Sequence, residues 1–375
     1  MTTPLHVKYD GQVIYDIVFK KDFTGLGSCI KDAGLSPKRI MIVMDSNVAG
    51  IYCDEVKGAL SPLFDEVHTW VFPAGESHKN LSTVEGLYEE LIVKHFDRKD
   101  LLVALGGGVT GDLTGFTAAT YLRGISFVQV PTSLLSMTDS SVGGKTGVDF
   151  RAYKNMVGAF YMPRLVYMNT SVLRSLPKRE FAGGMGEVIK HGIIFDNDFL
   201  TFLHDNADAI KALDDDVITQ TVKKSCDFKR IIVEEDPTEQ GIRATLNFGH
   251  TIGHAIEKLL DFKLLHGECV AIGSNAALYI CAQKGLISDE DYARALELFR
   301  EFDLPVCVYE SPGVSSADIE RITPELVLET MLSDKKTLAG RIRFILLRKM
   351  GEAYIDSSLT DEELTGAIKA VLYEN

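Results

Sequence analysis

One segment constrains this chain more than any other: LLVALGGGVTGDLTGF. The apolar run Leu101–Leu105 is too short for a helix and ends in Gly106, Gly107 and Gly108. It therefore reads as a buried strand closed by a glycine turn, and a helical pattern follows from Asp112 to Tyr121. The same alternation recurs nearby. Ile40–Met44 is an apolar run stopped at Asp45, and Val67–Phe72 stops at PAGES. Helical periodicity runs from Leu81 to Val93, and Ser126–Val130 stops at Pro131. Short apolar strands alternating with helices predict a parallel sheet covered on both faces. From about Lys178 the pattern turns helical, with helices expected over 253–260, 268–284 and 288–302. The fold class is thus α/β plus all-α. An α/β domain is expected over 1–176 and a helical domain over 177–375, which suits a chain of 375 residues.

Glycines at a strand-to-helix turn let the backbone approach a bulky ligand, and free N–H groups at the helix start attract phosphate. Gly107, Gly108 and Gly111 would then cradle a dinucleotide pyrophosphate at the carboxyl end of the sheet. The plainer reading is a tight turn with no ligand. A second glycine segment, SSVGGKTGV, ends like a P-loop. The first glycine of that motif would fall at Asp139, so an ATPase is excluded. Lys145 remains either an anion ligand or a solvated lysine.

The second half holds LNFGHTIGHAIE and, shortly after, LLHGE. His250 and His254 stand four apart on a predicted helix and share a face. His266 follows beyond the expected end of that helix. A catalytic zinc site takes three protein ligands and one open position. Two of these histidines and a carboxylate meet that count, and residue chemistry leaves open which two. Glu187, in the apolar, glycine-rich GGMGEVIKHG, is the leading carboxylate, because a buried carboxylate without a cation is costly. HTIGH lacks the glutamate of HExxH, so a metalloprotease is not expected. A core of this size needs no metal staple, which makes any metal catalytic. Lys190, Lys229, Arg243, Asn247 and Lys335 add donors suited to phosphate and carboxylate.

The formal charge of −14 argues against a nucleic-acid partner. The six cysteines form no CxxC pair and read as reduced thiols. With no apolar run long enough to span a membrane and no signal-peptide pattern at the start, a cytoplasmic protein is expected.

Several strings together resemble the 3-dehydroquinate synthase family: PAGESHK, GGGVTGDLTGFTAATYLRGI, QVPTSLLSMTDSSVGGKTGV, KNMVGAFY, GMGEVIKHG, LNFGHTIGHAIE and LHGE, in family order from about residue 40 to 340. The resemblance implies a Rossmann-like N-terminal domain, a helical C-terminal domain, NAD, a divalent metal (zinc, with cobalt an alternative) and a homodimer. It makes Glu187, His250 and His266 the metal ligands and turns His254 toward substrate. NAD would meet Asp45, Glu76, Lys79, Gly107, Gly108, Val109, Asp112, Thr132 and Ser133, with Lys145 and Lys154 nearby. Substrate would meet Asp139, Lys145, Asn155, Lys190, Lys229, Arg243, Asn247, His254 and Lys335. Arg123, in YLRG, would reach a neighbouring subunit's substrate.

The implied reaction converts 3-deoxy-D-arabino-heptulosonate 7-phosphate to 3-dehydroquinate and phosphate. It proceeds by transient oxidation at C5, phosphate elimination, re-reduction and aldol closure, without net redox change. Three positions depart from the family's common pattern: Asp149 for Asn, Tyr153 for Gly, and Ser133 for Thr. Lys145 and Lys154 keep their spacing, so the departures bear on the shape of the loop beside the cofactor. The alternatives are another sugar phosphate cyclase, whose substrate lacks the carboxylate, and a metal-dependent alcohol or glycerol dehydrogenase, which would accumulate NADH.

Overall fold

The computed structural model describes residues 3–151, 153–335 and 343–373, with the side chains of 333–335 outside that description. The chain forms two compact units. The first is Met1–Leu176 with Ile218–Thr238, and the second is Pro177–Val217 with Glu239–Asn375.

The first unit is built on a seven-stranded sheet. Its strands are β1 (Leu5–Tyr9), β2 (Gln12–Lys20), β3 (Arg39–Asp45), β4 (Glu66–Phe72), β5 (Leu101–Gly106), β6 (Ser126–Pro131) and, after the separate hairpin of β7 (Lys145–Phe150) and β8 (Tyr153–Phe160), β9 (Leu165–Asn169). The order across the sheet is β1-β2-β9-β6-β5-β3-β4. All neighbours pair in parallel except β1 and β2. Ile40 to Met44 on β3 are fully buried, as continuous apolar strands covered on both faces must be. The chain leaves β3 to one side for β4, then returns to its other side for β5. That reversal is a topological switch point, where the carboxyl ends of adjacent strands open a crevice for ligands.

Three helices follow strands β3, β4 and β5 in turn: α1 (Ser46–Leu60), α2 (Leu81–Val93) and α3 (Gly108–Thr120). Asp45 ends β3 and caps α1, accepting the N–H groups of Asn47 at 2.8 Å and Val48 at 3.2 Å. Asn80 caps α2 through Thr83 N–H. The β1–β2 hairpin was not anticipated, although Asp10-Gly11 signals it. Both residues have positive φ, 49° and 77°, which a two-residue type I′ turn demands.

Four helices carry the argument beyond residue 177: α4 (Lys178–Phe195), α5 (Asp215–Glu235), α6 (His250–Leu259) and α7 (His266–Gln283). The stretch Ile218–Thr238, assigned from sequence to the second domain, packs with the first unit. In the second unit α4, α6 and α7 meet backbone to backbone at glycines. A Cβ at Gly267 would strike the Gly183 carbonyl, and one at Gly253 the Cys269 carbonyl. The unit also contains an unforeseen antiparallel hairpin, β10 (Phe344–Lys349) with β11 (Glu352–Asp356). Gly351 turns it at φ 85° and donates its N–H to the Ile193 carbonyl of α4 at 2.8 Å.

Candidate metal centre and nucleotide cradle

Glu187 lies on α4, fully buried, with His250 at the start of α6 and His266 at the start of α7. Its Oε1 faces the Nε2 atoms of both, at 3.6 Å from His250 and 3.2 Å from His266. Lys190, one turn along α4, sets its ammonium against Oε2. Among the described residues, neither carboxylate oxygen accepts a well-aligned hydrogen bond. Burial opposes ionisation of Glu187, but the Lys190 ammonium and the imidazoles of His266 and His250 overcome it and hold the carboxyl well below its ordinary range. Burial, reinforced by Lys190, pushes His250 well below the ordinary imidazole value, so it is neutral at neutral pH. His250 Nδ1 also lies 3.0 Å from the Phe248 carbonyl. With Nδ1–H donating there, neutral His250 carries its lone pair on Nε2.

His254 is the exposed member of the histidine group. Its ring centre is 5.0 Å from that of His250 and 5.5 Å from that of His266. One ligand atom from each of the three histidines lies within 4.8 Å of the others. The chemistry of these donors, one buried carboxylate facing two imidazoles, suits a divalent ion.

The first unit shapes a different site. Gly107, which has no side chain to cap with, stands at the N-cap of α3. A Cβ on Gly107 would come 3.5 Å from Ser133 Oγ, and one on Gly108 3.2 Å from Ser140 Oγ. A helix start that opens on two glycines, with serine hydroxyls beside them, suits a phosphate group. Val109 completes the first helical turn. Gly111 faces the sheet instead, where a Cβ would lie 2.7 Å from Gln129 Oε1. Thr132 donates its N–H to the Gly106 carbonyl at 3.0 Å, and Ser133 Oγ lies 2.9 Å from Ser136 Oγ.

Beside the cradle, buried Lys79 reaches Asp112 at 2.7 Å and Asn155 Oδ1 at 2.6 Å, with Glu76 at 3.9 Å. Burial disfavours the Lys79 ammonium, yet the Asp112 and Glu76 carboxylates raise it above its ordinary value. Burial raises both Asp112 and Glu76 against the pull of Lys79. Asp149 makes two bonds there, both of which the family's asparagine could also make. Its N–H donates to the Lys79 carbonyl at 2.8 Å, and its Oδ1 accepts the Asn155 N–H at 2.7 Å. That bond supports Asn155 in a left-handed conformation at φ 54°. Tyr153 points outward, 64% exposed.

Among the remaining polar residues, Lys229 is buried on α5 and donates to the Asp139 carbonyl at 2.7 Å and to its Oδ1 at 2.5 Å. Arg243 is buried in the 3-10 segment Ile242–Asn247, where Asn247 donates to Glu239 at 2.9 Å. Lys145 begins β7 and Lys154 lies on β8, both exposed. Arg123 is exposed in a strained turn. Leu122 and Arg123 both adopt positive φ, 50° and 67°, before Gly124. The side chain of Lys335 lies outside the described part. Sequence reasoning missed the Phe248 carbonyl and the Ser136 and Ser140 hydroxyls, which no spacing rule singles out.

A switch-point crevice with a glycine cradle, together with a buried carboxylate facing two imidazoles, defines a class: metal-dependent enzymes on a nucleotide-binding α/β scaffold. Two family models cover most of the chain, 3-dehydroquinate synthase N-terminal at residues 69–183 and 3-dehydroquinate synthase C-terminal at residues 184–337. The chain belongs to the 3-dehydroquinate synthase family. It is 42% identical to the 3-dehydroquinate synthase of Acetivibrio thermocellus over 96% of this chain and 97% of that one. Among solved structures it is similar to ValA, a 2-epi-5-epi-valiolone synthase from Streptomyces hygroscopicus subsp. jinggangensis 5008 with NAD+ and Zn2+ bound. The TM-score is 0.86 at 25% identity, covering 98% of this chain and 99% of that one. A 2-deoxy-scyllo-inosose synthase complexed with carbaglucose-6-phosphate, NAD+ and Co2+ gives a TM-score of 0.84 at 25% identity, covering 98% and 100%.

Proposed function

We propose that this chain converts 3-deoxy-D-arabino-heptulosonate 7-phosphate to 3-dehydroquinate and phosphate, using NAD and a divalent metal, zinc or cobalt. The observation that carries this reading is Glu187: a fully buried carboxylate turned to two imidazole Nε2 atoms, in a chain 42% identical to a 3-dehydroquinate synthase along nearly its whole length. Glu187, His250 and His266 would hold the metal, and exposed His254 would face substrate. Asp45, Glu76, Lys79, Gly107, Gly108, Val109, Gly111, Asp112, Thr132, Ser133, Lys145 and Lys154 would bind NAD. The first unit, Met1–Leu176 with Ile218–Thr238, would bind the nucleotide, and the second would carry the metal ligands.

When bound, the metal supplies Lewis acidity toward the substrate's oxygens, and the dinucleotide supplies a hydride acceptor that is regenerated. The protein's own work is electrostatic and positional. Lys190 keeps Glu187 ionised against its burial. Phe248 O orients His250. Lys229 fixes Asp139 by two bonds, one to its carbonyl and one to its carboxylate. Arg243, with a guanidinium that stays charged inside the protein, suits the substrate carboxylate, and Asn247 and Lys335 supply further donors. Asn155, held by Lys79 and Asp149, would present its amide to substrate, as would Lys145.

The protein would act as a homodimer, with Arg123 directed to the partner's substrate. Arg123 is exposed, as that role requires. Unbridged cysteines support a reducing, cytoplasmic setting. No helix among the described residues is long and apolar enough to cross a membrane.

Phosphate release from the proposed substrate, with NAD and metal omitted in turn, tests the function. Release that needs both, without net NADH, is the expected outcome. Turnover confined to a sugar phosphate lacking the carboxylate would overturn it in favour of another cyclase.

A further inference from the structure

The turn that carries His266 is tied down by a guanidinium with no part in the reaction as described. Arg179, in the first turn of α4, donates Nε to Glu268 Oε1 at 2.7 Å and Nη2 to Glu268 Oε2 at 2.8 Å. Its Nη2 also lies 3.2 Å from the Lys263 carbonyl. Glu268 is buried and accepts the Leu265 N–H at 2.8 Å. One side chain of the helix that bears Glu187 therefore holds the backbone before His266 directly, at Lys263, and the Glu268 side chain just after it. The backbones also touch directly, since a Cβ at Gly267 would strike the Gly183 carbonyl.

We infer that Arg179 and Glu268 form a positioning clamp for the metal centre, fixing the approach of His266 Nε2 to Glu187 Oε1. A bidentate guanidinium–carboxylate pair fixes orientation as well as distance, which a point charge does not. The two ends are unequal: Arg179's side chain is 45% exposed and Glu268's only 3%. Such a buried partner matters for geometry more than for net stability. The inference rests on the proposed assignment of His266 as a metal ligand.

The test is zinc affinity by chelator competition, with the cobalt ligand-field spectrum as a second readout of geometry. Glu268→Gln should weaken zinc binding about 10–100-fold, the range for outer-shell partners of a metal ligand. Arg179→Lys, which keeps the charge at a half-exposed position, should lose part of that affinity and shift the cobalt spectrum. The Arg179→Lys/Glu268→Gln double variant should be no weaker than the weaker single variant, because the two act as one unit. Lys284→Met removes the ion pair to Glu363 near the far end of α7. It should leave zinc affinity unchanged even where it lowers the thermal midpoint. Should Glu268→Gln not fold, Arg179→Lys decides alone. Zinc affinity within about twofold of wild type in the folded clamp variants, or an equal loss in Lys284→Met, overturns the clamp. If His266→Ala itself leaves affinity intact, the ligand assignment has failed. If His266→Ala loses affinity while the clamp variants keep it, only the clamp has failed.

Discussion

Glu187 was legible because its surroundings were. A carboxylate among Gly183, Gly184, Met185, Gly186 and Val188 has no sequence neighbour to solvate it, and the structure buries it completely. Its pairing with Lys190 was not legible, since an i,i+3 pair on a helix is usually a surface pair. The Phe248 carbonyl was hidden for a similar reason: backbone acceptors carry no residue signature. Replacing Glu187 by Gln should cost metal affinity at least about 100-fold, beyond the loss seen for outer-shell partners, and abolish phosphate release. Metal content after dialysis reads the first effect, and normal content with full activity would remove Glu187 from the ligand set. His250 yields a pH prediction. Burial first, then Lys190, depresses its pKa in the fold, so below the ordinary value of 6.5 the unfolded chain takes up a proton that the folded, metal-free chain refuses. This contribution to stability is therefore present above pH 6.5 and declines as the pH falls from there toward the depressed folded value. Thermal midpoints of the metal-free protein at about pH 5.5 and 7.5 should differ more in wild type than in His250→Gln. An identical difference in both proteins would show that His250 is not the group responsible.

Elements with strong periodicity read well: the helix expected over Leu81–Val93 has those bounds, and the strand expected over Leu101–Leu105 gains only Gly106. The hairpins β1–β2 and β10–β11 were missed although Asp10-Gly11 and Met350-Gly351 mark their turns, because one strand of each, β1 and β11, is short and largely exposed or half-buried. His266 was placed after a helix and turned out to begin the next one, where Glu268 accepts the N–H of Leu265. The glycines divide by what they touch. Gly267 faces the Gly183 backbone, which cannot move without shifting α4 against α7, whereas Gly111 faces the amide end of the Gln129 side chain. Overpacking a core costs about 1–3 kcal/mol, and a rigid backbone contact belongs at or above the top of that range. Gly267→Ala should therefore lower the denaturation midpoint of the metal-free protein far more than Gly111→Ala. Equal effects in urea unfolding would mean that the helix crossing yields as easily as a side chain does.

At the scale of the whole molecule, the change from alternating strands and helices to helices alone placed a division at Leu176–Pro177, yet Ile218–Thr238 packs with the first unit. The reason is general: an amphipathic pattern on α5 shows that one face is buried but not against which partner. Oligomeric state is further from the sequence still, and Arg123 offers a way to test it. Arg123 is exposed and is the second of two consecutive left-handed residues. If it serves the partner's substrate, Arg123→Ala and Glu187→Gln are each inactive as homodimers but complement each other. In a mixed dimer, the site on the Arg123→Ala chain keeps its own Glu187 and receives an intact arginine from its partner. The other site lacks both. Random exchange makes half the dimers mixed, each with one complete site of two, so about a quarter of wild-type activity should return under closed two-fold symmetry. Phosphate release after unfolding and refolding the two variants together measures it, with each variant refolded alone as the baseline. Recovery absent from a preparation shown to contain mixed dimers places Arg123 outside the partner's site, and a chain that sediments as a monomer removes the premise.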